Sequence, residues 1–208
     1  MIASQNPDPD GPRTPFGLVW AIKRSFVQYV RGMPDGQGSV SDGADPVEPD
    51  MILFPVAQSP SSPVGRDADQ CWSFRGDVRF RGHGGMLFVR IAAPQLTVRG
   101  TRAQLTIEDP FARPDAERVP LVDLHLERGP GPEGAEVWLG SDVRLTQPGA
   151  ALFNDVYPAG ELFEQLSVVL PLGGTGERGT NGMDEPDRQG TAGPPGHASS
   201  GAGAPPEE

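Results

Sequence analysis

Cysteine is almost missing from this 208-residue chain. The one residue present, Cys71, excludes an internal disulfide and any zinc or iron–sulfur centre built on several thiolates; a buried or half-buried free thiol is its expected role. Histidine and tyrosine are scarce as well, at three and two residues, and Lys23 is the single lysine. No apolar run is long enough to cross a membrane as a helix. Met1–Arg13 is polar and proline-rich with no apolar segment, so the chain as it stands is expected to be soluble and cytoplasmic. No H-E-x-x-H, G-x-S-x-G, Walker or G-x-G-x-x-G arrangement occurs in a fitting context. Basic stripes are missing too. Arg75, Arg79, Arg81, Arg90 and Arg99 read as the outward face of strands, and with a net charge of −11 this excludes nucleic acid as a partner.

Glycine and proline, by contrast, are abundant at 28 and 24 residues, and they are unevenly placed. They crowd into the first dozen residues, Gly32–Pro63 and everything after Pro171. The acids follow them: residues 33–50 carry five acids and no base, and residues 173–208 carry six acids and two bases. Acidic segments without apolar periodicity are expected to stay solvated. The expected organisation is an unstructured start (1–13), one domain (14–172) and an unstructured acidic tail (173–208). Within the domain, residues 32–50 hold almost no apolar side chains and read as a lid or as plain unstructured chain.

Thr14-Pro15 resembles a helix start, and Gly32 is placed as its stop. Leu18, Ile22, Phe26 and Tyr29 then fall on one helix face, with Arg31 in the last turn. Met51–Ala57 reads as a short strand broken at Pro55. From Ser73 the period changes to two: Phe74, Val78 and Phe80 alternate with Arg75, Asp77, Arg79 and Arg81, the pattern of a half-buried strand, and Met86–Ile91 returns after the turn Gly82–Gly85 as a hairpin. Further strands are predicted at Gln95–Arg99, Gln104–Glu108, Val119–Glu127, Glu136–Leu139, Asp142–Thr146 and Leu166–Leu170, with a short helix at Pro148–Val156. Short strands at this spacing predict a mainly β (α+β) domain, an antiparallel sandwich or barrel with an N-terminal helix and a short C-terminal helix. His125 alternates with Val122, Leu124 and Leu126 and belongs to an outer face.

Three segments carry a family resemblance. Trp20-Ala21-Ile22-Lys23-Arg24-Ser25-Phe26-Val27-Gln28-Tyr29 is similar to the opening W-x-[VI]-K-x-S-F-x-x-Y of HtaA haem-binding domains. Val78-Arg79-Phe80-Arg81-Gly82-His83-Gly84-Gly85 resembles their V-x-F-x-G-H-x-G hairpin, and Tyr157-Pro158-Ala159-Gly160 their closing Y-x-x-G segment. The resemblance extends over about Phe16–Leu170. It implies a ferric haem (haem b) site of the actinobacterial haem-acquisition type. Tyr29 would be the axial ligand and His83 its hydrogen-bond partner, Tyr157 would stack beside the porphyrin, and Ser25 would contact a propionate. The implied role is haem uptake, transfer or intracellular sequestration, without enzymatic turnover. The implied partners are haem itself and another haem carrier or a transporter component.

The chemistry suits these residue types. Ferric iron is a hard cation and phenolate a hard anionic ligand; a free phenol titrates at about pH 10, so the metal must drive its deprotonation. An imidazole donating to the phenolate oxygen fixes its orientation. Against this stand plainer readings: a tyrosine on an apolar helix face is usually core packing, and a histidine in a glycine-rich turn is usually solvated. Two other functions stay open at this point, a haem-degrading or peroxidatic enzyme and a β-sandwich interaction module without ligand. The chain departs from the family in two respects. Family members are usually exported and often anchored, so this domain is expected at the cell surface if its start is truncated. Val156 also stands where an aromatic often precedes the closing tyrosine.

Overall fold

Alternation of apolar and polar residues drives one face of a strand into a core and leaves the other in water, and that pattern organises most of the molecule. The structure is a computed structural model that describes residues 16–47, 49–57, 70–112 and 117–172. The polar ends expected to be unstructured, 1–13 and 173–208, and the expected helix start at Thr14-Pro15 lie outside the described residues. The described elements run β1 (Gly17–Trp20), α1 (Arg24–Gly32), β2 (Gln37–Ser41), β3 (Asp45–Val47), β4 (Met51–Pro55), β5 (Gln70–Ser73) and β6 (Asp77–Gly82). After a 3-10 turn at His83–Gly85 come β7 (Leu87–Ala92), β8 (Gln95–Arg99), β9 (Arg102–Ile107), β10 (Val119–Gly129), β11 (Ala135–Leu145), α2 (Gln147–Leu152) and β12 (Leu166–Pro171).

One sheet has the order β3-β4-β1-β12-β11-β10-β9-β8-β5, and a smaller one the order β2-β6-β7. The large sheet curls nearly into a barrel. β4 and β5 lie near its opposite edges, yet beyond them Val56 pairs with Phe74. Ala57 N–H to Ser73 O and Arg75 N–H to Pro55 O, each 2.8 Å, flank that bridge. The small sheet grows out of the large one. β5 with β8 and β6 with β7 form one long hairpin, from the pair Gln70–Val98 to the pair Gly82–Leu87. It bends where Gly76 takes φ +126° and Ala93 φ +43°, and its tip is the turn that carries His83.

A single apolar core runs through both sheets and α1, with Trp20, Phe54, Phe74 and Phe153 fully enclosed. Each such side chain contributes roughly 2–3 kcal/mol by leaving water. The small sheet is also tied to the barrel by charge. Asp77 on β6, 1% exposed, accepts from Arg79 Nε (2.9 Å) and Nη2 (2.7 Å) and from Arg90 Nε (2.7 Å). Arg90 extends the network 3.2 Å to Glu108, just past β9. Burial pushes the Asp77 carboxyl upward, but the hydrogen bonds and charges of the two arginines outweigh it and hold the group below its ordinary value of 3.8.

The fold is the mainly β, barrel-like architecture expected, with corrections to individual elements. The helix begins at Arg24, and Leu18 belongs to β1, where it pairs with Val168 on one side and Phe54 on the other. A short apolar run reads equally as buried strand or helix; two partner strands decide for strand, and Ile22, at φ +60°, breaks the chain between the two. Residues 32–50 are not one long loop: β2 pairs with β6 and β3 with β4. Every residue of β2 is exposed, so the ladder rather than burial holds it and no alternation marks it. The strands expected separately at Glu136–Leu139 and Asp142–Thr146 are one strand, β11. The hairpin arm expected as Ser73–Arg81 is split at residues 74–76 by the bend.

Candidate functional site

Helix α1 lies against the inner face of the small sheet. Phe26 packs edge-on against Phe80 of β6 and against Phe153, both at 5.1 Å between ring centroids. Phe26 and Val30, four residues apart, form the buried stripe. That stripe leaves Tyr29 on the rim, 52% exposed, rather than in the core. At the sheet's end the phenol meets the hairpin tip: Tyr29 Oη and His83 Nε2 are 2.5 Å apart, with ring centroids at 5.8 Å. The tip has an unusual backbone. His83, Gly84 and Gly85 take φ of +53°, +63° and +94°. Glycine accepts such values readily, and histidine tolerates them better than most side chains but adopts them far less often than glycine, so contacts from outside help to hold the turn.

Part of that support comes from the loop after α1. The Gly84 N–H donates to the Asp35 carboxylate at 2.6 Å. This amide is the main reason that the Asp35 carboxyl sits below its ordinary 3.8, with the His83 amide and the charge of His83 adding to the effect. Met86, just past the turn, is 80% exposed and adds an apolar side chain to an open surface.

The other two predicted site residues stand apart from this pair. Tyr157 is half-buried, stacked edge-on against Phe153 and Phe163 at 5.9 Å each. Lys23 Nζ lies 5.4 Å from the centre of its ring and is itself held by Glu161 (2.7 Å) and the Leu162 carbonyl (2.6 Å). The ring contacts of Tyr157 are therefore with the core and with the N-terminal end of α1, not with Tyr29 or His83. Ser25 is exposed on the first turn of α1, one turn before Tyr29 and on the same side of the helix. His125 is exposed on the outer face of β10, as expected. It lies in a shallow depression of about 640 Å³ whose acids are already engaged, Asp142 with Arg144 at 2.7 Å and Asp123 with Gln104 at 2.9 Å. Cys71 is a half-buried free thiol.

The sequence matches the HtaA family model, described as Htaa, over residues 16–169. The chain belongs to the HtaA family. Solved structures share the fold of this HtaA domain. The C-terminal domain of HtaA from Corynebacterium glutamicum is 22% identical at a TM-score of 0.60, covering 75% of this chain and 97% of that one. The N-terminal domain of the same protein is 22% identical at 0.60, covering 76% and 97%. The haem-binding protein HtaB from the same organism is 17% identical at 0.58, covering 74% and 91%. No curated protein matches the chain.

Two residues that hold this HtaA domain's hairpin tip from the loop after α1 escape sequence reasoning altogether. Asp35 acts on a backbone amide, and Met33 fills the space beside Gly82, where a Cβ would come within 2.7 Å of its Cε. Neither contact leaves a motif. Among the described residues there is no cluster of three His, Cys, Asp or Glu able to hold a bare metal ion. A metal held at the Tyr29–His83 pair must bring most of its own ligands.

Proposed function

We propose that this HtaA domain binds ferric haem b as cargo, with the Tyr29 phenolate as the axial ligand and His83 donating from Nε2–H to the phenolate oxygen. One observation carries the reading: a rim-exposed phenol on a helix and an imidazole on a hairpin tip, 54 residues apart in sequence, stand 2.5 Å from each other. Membership of the HtaA family and the likeness to a structure named as a haem-binding protein support haem as the ligand class. The pair offers one hard anionic oxygen and one hydrogen-bond donor, which suits an iron whose other four positions a porphyrin fills. His83, by donating, stabilises the phenolate form and fixes the ring's orientation. Ser25, one turn back on α1, would contact a propionate, and Tyr157, beside Lys23, would lie along the flank of the porphyrin. An open ligand on a surface suits capture and hand-over to a second carrier or a transporter component, with no turnover of the haem.

The test is reconstitution of the purified domain with hemin. A saturable complex with a phenolate-to-iron charge-transfer band is expected, and reduction with dithionite should weaken or release the haem, because phenolate favours the ferric ion. A stable ferrous complex with a bis-nitrogen spectrum would overturn the assignment of Tyr29.

A further inference from the structure

We propose that the segment following α1, residues 33–36, positions His83 for Tyr29, with the Asp35 carboxylate as its anchoring group. The inference rests on the reading of Tyr29 as ligand and adds a residue to that site. Asp35 is a positioning residue: its hydrogen bond goes to the backbone of the hairpin tip.

The geometry begins with the tip itself. Three successive positive φ values, at His83, Gly84 and Gly85, make a turn that the hairpin ladder does not stabilise, since the last ladder pair is Gly82–Leu87. Inside the turn, Met86 N–H donates to His83 O at 3.2 Å. From outside, the loop grips both sides of His83. On one side the Met33 side chain lies where a Cβ on Gly82 would be, 2.7 Å from its Cε and 3.0 Å from its Sδ. On the other, Asp35 Oδ2 accepts the Gly84 N–H at 2.6 Å, a charge-assisted bond of the stronger kind.

The gripping loop is in turn fastened to the helix that carries Tyr29. Met33 N–H donates to Val30 O at 3.2 Å, and Gly36 N–H to Met33 O at 3.1 Å. Gly36 lies so close to the end of α1 that a Cβ there would be 1.8 Å from the Val30 carbonyl oxygen. Tyr29 and Asp35 thus belong to one unit, and the hairpin tip is bonded to that unit twice, through the His83 ring and through the Gly84 amide. With the second bond in place the imidazole arrives at the phenol already oriented. Without it, only the His83 ring and the packing of Met33 would tie the tip, with its three positive φ values, to α1.

The experiment uses the whole chain, first without haem and then with hemin. In the haem-free protein, Asp35→Ala should expose the Gly84 amide to hydrogen exchange and move the His83 Nε2 resonance toward that of a free imidazole. Asp35→Asn, which keeps an acceptor oxygen, should restore most of both signals. With hemin, Asp35→Ala should lose about 10- to 100-fold in affinity, as supporting residues of a metal site do. Added to His83→Ala it should cost nothing further, because Asp35 acts only through His83. An unchanged His83 resonance and unchanged hemin affinity in Asp35→Ala would overturn the proposal. So would a loss that adds fully to that of His83→Ala, since it would mark a merely structural role. Failure of the haem reading looks different: hemin then does not bind the unaltered protein, or binds Tyr29→Phe equally well, and the haem-free resonances decide the role of Asp35 by themselves.

Discussion

Tyr29→Phe and His83→Ala, alone and together, test the proposed ligand against its proposed helper. Tyr29 is 52% exposed and makes its side-chain hydrogen bond with His83 on the rim of the core. Removing the hydroxyl leaves the ring packed as before, and losing one exposed hydrogen bond costs at most about 1 kcal/mol of folding stability. Thermal unfolding of the haem-free single variants should therefore stay close to that of the unaltered protein. Hemin titration followed in the Soret region should not. Tyr29→Phe deletes the anionic oxygen, so saturable binding should disappear along with the charge-transfer band. His83→Ala removes only support, and an effect of about 10- to 100-fold, or roughly 1.4–2.8 kcal/mol, is expected. The double variant should match Tyr29→Phe alone, because a hydrogen bond to a missing oxygen has nothing left to contribute. If His83→Ala abolishes binding while Tyr29→Phe leaves it intact, the imidazole is the ligand and the reasoning fails.

Other expectations concern the scaffold. Asp77→Ala should destabilise the domain by about 3 kcal/mol in urea denaturation, the lower end for breaking a buried ion pair, because Arg79 and Arg90 are partly exposed and can turn to solvent. The Asp77 carboxyl is held below 3.8 in the fold; its contribution is thus complete above the unfolded-state pKa and fades as pH falls through the lowered folded value. Acid titration of stability should accordingly be flatter below about pH 4 in Asp77→Asn than in the unaltered protein. Phe153→Ala, which empties the contact of Phe26, Tyr157 and Phe163, should cost about 3–5 kcal/mol by the same denaturation assay. Gly36→Ala drives a methyl into the Val30 carbonyl and should cost about 1–3 kcal/mol while weakening hemin binding, measurable by titration.

The strands that could be read directly are those whose two faces differ in environment. β8 falls at Gln95–Arg99 as its alternation indicates, because Leu96 and Val98 enter the core while Thr97 and Arg99 leave it. Where the environment is uniform the pattern disappears. β1 is enclosed between β12 and β4, so nearly all of it is apolar and helix and strand look alike. β2 is exposed throughout and looks like loop. In β11 the misleading residue is Gly140, which suggests a break. It is instead a place where a side chain is excluded: a Cβ there would fall 2.6 Å from Leu166 Cδ1 and 2.7 Å from Leu124 Cδ1. The glycine thus serves packing between neighbouring strands, and β11 runs on past it through a register shift opposite Asp123 and His125.

The site was legible to a different degree. Tyr29 and His83 could be named from motif resemblance, but no periodicity joins residues 54 positions apart, since their meeting depends on how α1 crosses the small sheet. That crossing is set by Phe26 lodging between Phe80 and Phe153, and only then does the next turn of the helix bring Tyr29 to the hairpin tip. The error in the helix start matters here. Had α1 run from Thr14, the face shared with Leu18 and Ile22 would have carried Tyr29 toward the core. A helix beginning at Arg24 has only Phe26 and Val30 to bury, and that narrower stripe leaves the phenol at the rim. Rim exposure leaves the phenol oxygen open to an incoming metal complex without displacing core side chains. Where the helix starts therefore bears directly on the ligand role proposed for Tyr29.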